Sequence, residues 1–338
     1  MRKLLLLVGV SLLPTPDALA QSIAPGFTRS SALRQDTLER RLVGLADTAS
    51  VRRMSRALSA VPHVAGTPAQ AATRDSVIAW MRSWGLETWV KTYSVYIPRP
   101  DTVAAWIVRR PGAAAERLAL GEPRVVEDPT TAGLQVPPYN GYTGYGDVAG
   151  DVVFAGYGLP EDFRTLDSLG VSVRGRIVIA RYGRSFRGIK AREAEQHGAA
   201  GLILYSDPED DGYRQGDVYP DGPMRPAGGI QRGSVRNGNG DPTTPSYASV
   251  PGARRVPFDS LDVPRIPVIP MGYGNARRVL EGLRGPSVPQ DWQGALPFRY
   301  HLGPGPVRVR LKVTGERGPA GMHEIWNTFG LLRGERFP

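Results

Sequence analysis

The sequence predicts an α/β fold, with helices near the N-terminus and a region rich in strands after them. The segment from Gly175 to Asp211 reads as a strand, a helix and a second strand, with a basic loop bounded by glycines between the first two. From Pro111 onward, glycine, proline and short apolar runs alternate, which is typical of strands joined by loops. The 338 residues, 41% of them hydrophobic, exceed one average domain and suffice for a buried core, so two domains are expected.

The first 20 residues read as a secretory signal peptide. Arg2 and Lys3 give a positive start, residues 4–13 form an apolar run, and residues 18–20 (Ala-Leu-Ala) match a cleavage site of small residues. A membrane anchor is the alternative, but this apolar run is far shorter than the ~20 residues that cross a bilayer. We therefore expect an exported protein, periplasmic or extracellular, whose mature chain begins near Gln21 and has no membrane contact after cleavage.

Composition excludes some classes of site and partner. The chain has no cysteine, so disulfides and thiolate metal sites are excluded, and the fold depends on burial and hydrogen bonding. The net charge of +10 comes mainly from arginine, because only four of the 42 basic residues are lysines. The arginines are spread along the chain and no basic run is interleaved with aromatic residues, so we expect no nucleic-acid partner. The positive net charge instead favours a small anionic substrate.

Two helical regions come first in the chain. Asp36 precedes a segment with apolar residues at helical spacing, which predicts one or two amphipathic helices that end before Val61. A further helix begins at Thr67 and Pro68, because proline suits the first turn, and Gly85 ends it. Its apolar stripe is expected to be core and comprises Ala72, Val77, Met81 and Trp84.

Strands are predicted next. Residues 86–97 and 103–109 are rich in Val, Ile, Tyr, Trp and Thr, and they read as two strands with a tight connection. Further strand candidates are residues 151–156, 176–181, 201–205 and 266–269. Helices are predicted over 190–196 and 275–283, the second with Asn275 as its N-cap. Residues 207–256 lack sustained periodicity and are predicted to be a long loop, which in compact domains is usually functional or disordered.

The histidines do not form a metal-binding pattern. The chain has four of them, His63, His197, His301 and His323. No two lie within four residues of each other, and zinc spacings such as His-Glu-x-x-His are absent, so structural or surface roles are favoured. The sequence signatures of serine hydrolases, dinucleotide sites and phosphate loops are absent as well.

An acidic and a basic cluster lie within the strand–helix–strand segment. The acidic residues are Asp207, Glu209, Asp210 and Asp211, and the basic residues are Arg181, Arg184, Arg187 and Lys190. The acidic spacing does not match a calcium loop, so a solvated turn is favoured over a calcium site. A guanidinium can hold a carboxylate through two parallel hydrogen bonds, and a helix start adds backbone donors. A solvated surface is nevertheless the more common role for such arginines.

Several segments, all in the same order, resemble a known family. They are PHVAGT (62–67), the segment 175–208, YPDG (219–222), GGIQRG (228–233), GDPTTPSY (240–247) and IPVIP (266–270). The chain resembles the glutamate carboxypeptidase, folate hydrolase and N-acetylated-alpha-linked acidic dipeptidase group, zinc peptidases with a protease-associated (PA) domain. The segments GPG (303–305) and IWNTFGLLRG (325–334) extend the likeness, so it covers residues 35–338.

The resemblance implies an incomplete zinc-peptidase α/β domain that is interrupted by a mixed, β-rich PA domain. By that likeness, residues 1–20 are the signal peptide and 22–98 begin the peptidase-like domain. Residues 99–321 are the PA insert, and 322–338 resume the peptidase-like domain in truncated form. The loops of the insert would roof a two-zinc site in the peptidase portion, whose metal ligands would follow the strand after Gly334.

The resemblance also implies individual site residues. Phe186 and Arg187 match the family's pair that lines the pocket for a C-terminal glutamate, with Arg187 pairing with its α-carboxylate. The family usually has Asn where this sequence has Ser234, so the resemblance does not imply glutamate selectivity there, although a hydroxyl can donate one hydrogen bond. Thr244 and Tyr247 match positions whose backbone carbonyls bind a structural calcium. No catalytic residue and no zinc ligand is assigned within this chain.

These inferences favour an N-terminal fragment of an exported zinc metallocarboxypeptidase, a hydrolase family, with this chain inactive by itself. In the complete enzyme, we expect two zinc ions, calcium as an additional ion, and a peptide or acidic dipeptide as substrate. A homodimer is expected only at full length. The alternative is a noncatalytic PA-domain binding module, as in the receptor-like relatives of the family. A third hypothesis, a hydrolase with a different site in these residues, is disfavoured by the missing cluster of metal ligands.

Overall fold

The structure is a computed structural model that describes residues 25–108 and 114–334. The predicted signal peptide, residues 1–20, lies outside the described residues. The chain divides into two units, residues 1–59 and 60–338. We describe each unit by itself.

The first unit contains two helices, α1 (Arg29–Gly44) and α2 (Thr48–Ser59), where the spacing predicts one or two. The hydroxyl of Thr28 accepts a hydrogen bond from the backbone N–H of Ser31 at 3.3 Å and so caps α1. Of the helices in the described part of the chain, none has the length and apolar character needed to cross a bilayer.

The second unit mixes helices and strands. In chain order they are α3 (Pro68–Ser83), β1 (Glu87–Tyr96), β2 (Pro100–Val108), β3 (Glu116–Arg117), β4 (Asn140–Gly141), β5 (Gly146–Phe154), α4 (Pro160–Ser168), β6 (Ile177–Arg181), α5 (Arg187–Gln196), β7 (Gly201–Tyr205), α6 (Pro208–Asp211), β8 (Gly233–Ser234), β9 (Val268–Met271), α7 (Tyr273–Leu280), β10 (Arg308–Gly315) and β11 (Met322–Leu331). Each strand that the sequence predicts corresponds to one of these strands. The α/β class is confirmed.

A mixed sheet of seven strands lies at the centre of the second unit, in the order β3-β2-β10-β5-β6-β7-β9. The pairs from β3 to β5 are antiparallel, and β5, β6, β7 and β9 run parallel. In β6 and β7 every residue is buried, with Ile179 opposite Ile203. Because both faces of these strands are covered, their sequences are short, nearly continuous apolar runs.

A separate antiparallel ribbon joins β1 and β11, in a register from Glu87 opposite Leu331 to Tyr96 opposite Met322. The chain thus leaves the ribbon at Tyr96, forms the seven-stranded sheet, and returns at Met322. This path is compatible with an insert over residues 99–321. The domain boundaries 22–98, 99–321 and 322–338 stay predictions.

The prediction that the apolar stripe of α3 is core is wrong. Ile78 is the only buried residue of this helix, and Trp84, just after it, is 57% exposed. Ala72 is exposed, and Val77 and Met81 are partly buried. Within the described residues, α3 packs against the narrow β1–β11 ribbon, and two strands are too few to cover the whole apolar face of a helix.

The predicted cap of α7 is also wrong. The helix begins directly after Gly272, and Asn275 lies inside it. There the side-chain amide of Asn275 donates a hydrogen bond to the carbonyl of Ala119 at 2.8 Å. Asn275 therefore links two segments of the fold, and a tertiary contact takes the place of the local capping bond. In α5, the helix begins at Arg187, ahead of the predicted start at Lys190.

The acidic turn after β7 is not a solvated turn. Asp207 is fully buried, and its carboxylate accepts hydrogen bonds from the hydroxyls of Tyr205 at 3.0 Å and Tyr300 at 2.6 Å. The backbone N–H groups of Glu209 and Ala295 also donate to it, at 3.0 and 2.9 Å. Four donors from two parts of the chain, residues 205–209 and 295–300, converge on Asp207, so this carboxylate links these two segments at the end of β7.

The other carboxylates of the turn mostly form ion pairs. Asp210 pairs with the buried Arg181 at 2.6 Å, and Asp211 pairs with Arg225 at 2.7 Å. Glu209 fits the predicted solvated role best, since its side chain is 45% exposed and its only ion pair within the described residues is a long one of 3.6 Å with the exposed Arg214. The prediction failed because these partners lie far away in sequence, and spacing within the turn carries no information about them.

Candidate carboxylate-binding site

The candidate site is built on the loop that joins β6 to α5. This loop leaves the carboxyl end of a buried parallel strand, the edge at which open α/β sheets commonly bind ligands. Gly183 and Arg184 have positive φ angles of 104° and 59°, so the chain turns sharply before Phe186, the N-cap of α5. The four basic side chains that the sequence groups together here lie in three different environments.

Two of the four basic residues are buried. Arg181 is 1% exposed, and its Nη1 donates to the carbonyl of Trp292 at 3.1 Å, in addition to its ion pair. Lys190 is fully buried, and its Nζ donates to the carbonyls of Gly183, at 2.8 Å, and Tyr157. Burial lowers the pKa of Lys190 to about 8. A solvated basic surface is therefore wrong for these two residues, which organise the loop.

Arg184 does lie at the surface. Its side chain is 51% exposed, with its Cζ 4.2 Å from the centre of the Tyr157 ring and its Nη1 3.8 Å from the carboxylate of Asp291. A long, exposed ion pair of this kind contributes little free energy. The solvated role predicted for the cluster fits Arg184.

Arg187 is the partly buried member of the cluster that has no carboxylate partner within the described residues. Its Nη2 donates to Oε1 of Gln231 at 3.2 Å, and its Cζ lies 5.5 Å from the ring centre of Tyr182 and 5.9 Å from that of Phe186. Its Nε is buried without a hydrogen-bond partner, and in the part of the chain that the structure describes no carboxylate pairs with it. A partly buried cation without an anion suits an anionic ligand.

Ser234, the third residue that the resemblance assigns to the pocket, follows a residue that lies against the guanidinium of Arg187. The preceding Gly233 contacts Arg187 directly, and both Gly233 and Ser234 form β8, which pairs in parallel with β4. The hydroxyl of Ser234 accepts a hydrogen bond from the N–H of Arg236 at 3.1 Å. Phe186 is 46% exposed, and its ring centre lies 5.9 Å from Cζ of Arg187. The structure thus brings Phe186, Arg187 and Ser234 to one place, and their roles in binding stay predictions.

Tyr182, Asn140 and Gln231 also support the site, and none of them was predicted from the sequence. Tyr182 donates its hydroxyl hydrogen to the backbone carbonyl of Gln231 at 2.9 Å and lies 3.4 Å from the amide of Asn140. Burial raises the pKa of Tyr182 to about 12. Gln231 falls within the GGIQRG segment, which marks the place but does not show that its side chain reaches the guanidinium.

The predicted calcium residues do not form a cation site by themselves. The carbonyl of Thr244 accepts the N–H of Tyr247 at 3.3 Å, and the Tyr247 side chain is 51% exposed. The nearest carboxylate along the chain, Asp241, is occupied by Ser249 and by Arg255, the latter at 3.1 Å. Two carbonyls without a free carboxylate do not fit a calcium ion. The calcium expectation therefore stays a prediction for a longer protein.

The four histidines serve local roles. One ring nitrogen of each histidine bonds nearby: Nδ1 of His63 with the carbonyl of Val61, Nδ1 of His197 with that of Glu193, Nδ1 of His301 with that of Gly285, and Nε2 of His323 with the carboxylate of Glu316 at 2.7 Å. Among the residues that the structure describes, no three histidine or acidic side chains come together as a metal would require. Residues 25–108 and 114–334 therefore do not fit the two zinc ions that the resemblance implies.

Comparisons with known proteins find a matching domain family and several similar proteins. The PA domain family profile matches residues 139–237, which include the loop, Arg187 and Ser234. "Probable glutamate carboxypeptidase VP8" from Zea mays is 33% identical over 297 residues, and "Transferrin receptor protein 2" from Homo sapiens is 34% identical over 284 residues. Among solved structures, a zinc aminopeptidase from Bacillus subtilis superimposes with a TM-score of 0.42 and 14% identity, covering 82% of this chain and 44% of its own.

The matches cover most of this chain but less than half of each relative. The Zea mays protein aligns with 86% of this chain but only 38% of its own length, and the human receptor with 81% and 32%. The chain therefore spans about two fifths or less of the length of these relatives. The shared region contains the residues that match the PA domain, among them the loop that joins β6 to α5. On these matches, the chain is similar over most of its length to proteins named glutamate carboxypeptidase and to a NAALADase-like aminopeptidase, and its residues 139–237 match the PA domain family.

Proposed function

We propose that this chain is the substrate-capturing part of a glutamate-carboxypeptidase-like zinc peptidase and that Arg187 holds the C-terminal carboxylate of an acidic peptide. The observation that carries the proposal is the guanidinium of Arg187, which is bonded to a neutral amide and has no carboxylate partner within the described residues. The names of the relatives, glutamate carboxypeptidases, support an acidic peptide as the ligand.

The surroundings of Arg187 support binding of a carboxylate. Arg187 is the first residue of the ten-residue helix α5, and a helix N-terminus favours negative charge. The rings of Phe186 and Tyr182 flank the guanidinium and reduce its contact with water, which strengthens a charge-assisted hydrogen bond. A planar guanidinium can then take a carboxylate through two parallel bonds.

Hydrolysis is assigned to a longer protein in this proposal. Two zinc ions, when bound in the complete enzyme, would polarise the peptide carbonyl and activate a water molecule. The described residues of this chain offer no ligand set for them, so we derive no hydrolytic step here. The proposal includes the interpretation of the chain as an N-terminal fragment and its export to the periplasm or the extracellular space.

A second candidate function is a noncatalytic PA-domain binding module. It is favoured by the 34% identity to a protein named as a receptor, Transferrin receptor protein 2. In that case the surface of the PA domain would bind a protein partner, and Arg187 would have no special role. Binding of a small acidic peptide that depends on Arg187 separates the two candidates.

The first test is titration calorimetry with aspartyl-glutamate. We expect Arg187→Gln to weaken binding by roughly 10- to 100-fold, because a charge-assisted pair of hydrogen bonds is lost. Arg308→Gln is the matched control, since it removes one positive charge from the exposed side of β10, where the side chain is 53% exposed. Equal affinities of the Arg187→Gln variant and the wild type would remove Arg187 from the binding site.

A further inference from the structure

Gly233 lies directly against the guanidinium of Arg187. A Cβ atom at position 233 would lie 2.0 Å from Nη1, 2.5 Å from Cζ and 3.1 Å from Nη2 of Arg187. The first two separations are far inside van der Waals contact, so any larger residue would force the guanidinium away. The space that Arg187 occupies exists because residue 233 has no side chain.

Gln231 fixes the same guanidinium from a second direction. Its Oε1 accepts the hydrogen bond from Nη2 of Arg187, while its backbone carbonyl accepts the hydroxyl hydrogen of Tyr182. The ring of Tyr182 in turn faces the guanidinium, with 5.5 Å between Cζ and the ring centre. An amide oxygen orients a guanidinium without cancelling its charge, whereas a carboxylate at the same place would neutralise it.

We propose that Gly233 and Gln231 are positioning residues that hold Arg187 in one orientation and leave its charge available to a ligand. The inference rests on the proposed function and adds to it that the site selects a free carboxylate over a carboxamide. A fixed guanidinium gives a carboxylate two charge-assisted bonds, which a neutral carboxamide cannot match. A mobile guanidinium would lose part of this advantage, because ordering a long side chain on binding costs free energy.

Two variants test separately the space that the guanidinium of Arg187 occupies and the availability of its charge. Gly233→Ala fills the space of the guanidinium with one methyl group. Gln231→Glu places a carboxylate where the amide now lies, 3.2 Å from Nη2, so Arg187 would pair within the protein. Gly146→Ala is the matched control, because a Cβ at that position in β5 would have no neighbour closer than 3.7 Å.

The first readout needs no ligand. In the full chain labelled with ¹⁵N-arginine, the Nε–Hε signal of Arg187, assigned by its loss in Arg187→Gln, should exchange slowly with water because this Nε is buried. We expect Gly233→Ala to shift the signal and to accelerate exchange by about tenfold or more, since the guanidinium must leave its place. We expect Gly146→Ala to keep the wild-type signal.

The second readout is the ratio of Kd values for aspartyl-glutamate and for the same dipeptide with a C-terminal carboxamide. We expect the wild type to prefer the free acid by roughly 10- to 100-fold. In Gly233→Ala and in Gln231→Glu the ratio should fall towards one, with Gly146→Ala like the wild type. A purely structural role of either residue would alter both affinities together and leave their ratio unchanged.

The outcomes test the positioning inference and the proposed function separately. An unchanged Arg187 signal and an unchanged Kd ratio in Gly233→Ala overturn the positioning inference. If Gly233→Ala loses its thermal unfolding transition, Gln231→Glu decides instead, and wild-type affinity of that variant for the free acid overturns the inference. If the wild type binds neither dipeptide, the proposed function fails, while the Arg187 signal in Gly233→Ala still shows whether residue 233 positions the guanidinium.

Discussion

Lys190 illustrates how one buried side chain shapes the binding loop. Its ammonium group bridges the carbonyl of Gly183, in the binding loop, and that of Tyr157, in the segment between β5 and α4, at a site without exposure to solvent. Desolvation disfavours the charged form and is the main cause of its lowered pKa, with Asp162 and Asp210 partly opposing it. The stability of the protein should therefore depend on pH through this single residue.

We predict that Lys190→Met removes a rise in stability with pH. The folded lysine loses its proton above a pKa of about 8, whereas the unfolded one keeps it up to its ordinary value of 10.5. Between these values the unfolded chain binds more protons, so the wild type gains stability as pH increases, by up to about 3 kcal/mol. Urea unfolding at several pH values between 8 and 10.5 measures the difference between wild type and variant.

The control for this experiment is Lys312→Met, which removes a lysine from β10, at a position that is only partly buried. This variant should keep the pH profile of the wild type. Tyrosines that titrate above pH 10 affect all three proteins in the same way and cancel in the comparison. Parallel profiles of wild type and Lys190→Met would contradict the prediction.

At the residue scale, Arg187 is singled out by the family resemblance and not by local pattern, because the residues alone favour a solvated surface and a helix that starts at Lys190. Its role in binding stays a prediction, and its supporting residues were not predicted. Gln231 and Gly233 come more than forty residues later, in a segment without periodicity. Their contact with Arg187 depends on how a long loop folds back over the sheet, and local patterns carry no information on that path.

The N-terminus of α3 is an element that local chemistry explains well. The hydroxyl of Thr67 accepts the N–H of Gln70 at 3.3 Å, and the side chain of Gln70 accepts the N–H of Gly66 at 2.6 Å. Together with Pro68 in the first turn, these reciprocal bonds satisfy donors that a helix start would leave unpaired. Both ends of α3 were therefore predictable from sequence.

We predict that Thr67→Ala lowers the free energy of unfolding by about 1 kcal/mol, the usual cost of losing an N-cap hydroxyl. Thr73→Ala is the control within the same helix. The hydroxyl of Thr73 bonds only the carbonyl of Ala69 in the preceding turn, and alanine is the better helix former, so this change should be neutral or slightly stabilising. Urea denaturation that ranks the two variants equally would show that the cap does not matter.

Element types are predicted better than element surroundings. The strands follow from runs of Val, Ile and Tyr, since burial on both faces needs only apolar residues. The cap of α7 and the burial of α3 were wrong because each depends on a distant partner: Ala119 for Asn275, and a ribbon of only two strands for α3. The acidic turn failed for the same reason, through Tyr300 and Ala295.

At the scale of the whole molecule, we predict that the purified chain binds no stoichiometric zinc and does not cleave aspartyl-glutamate. A zinc site needs three or four convergent ligands, and each histidine in the described residues is bonded to a local group. Metal analysis by mass spectrometry, after dialysis against zinc buffer, measures the content per chain. A stoichiometric zinc content with turnover that a chelator abolishes would contradict the prediction.

Two kinds of sequence information predict the fold of the whole molecule. The α/β class follows from periodicity alone, and the PA domain follows from the order of short motifs such as GGIQRG. Neither gives the arrangement of the sheet, because β10, near the end of the chain, inserts between β2 and β5. Pairings of such high sequence separation leave no local trace in the residues that make them.

The adjacency of Tyr96 and Met322 in the β1–β11 ribbon has a practical consequence for protein engineering. The segment between these two residues begins and ends on neighbouring strands, so its two ends lie about 5 Å apart, the spacing between paired strands. Residues 97–321 could therefore be grafted into a hairpin of an unrelated host, because a closely spaced pair of attachment points imposes little distortion on the recipient.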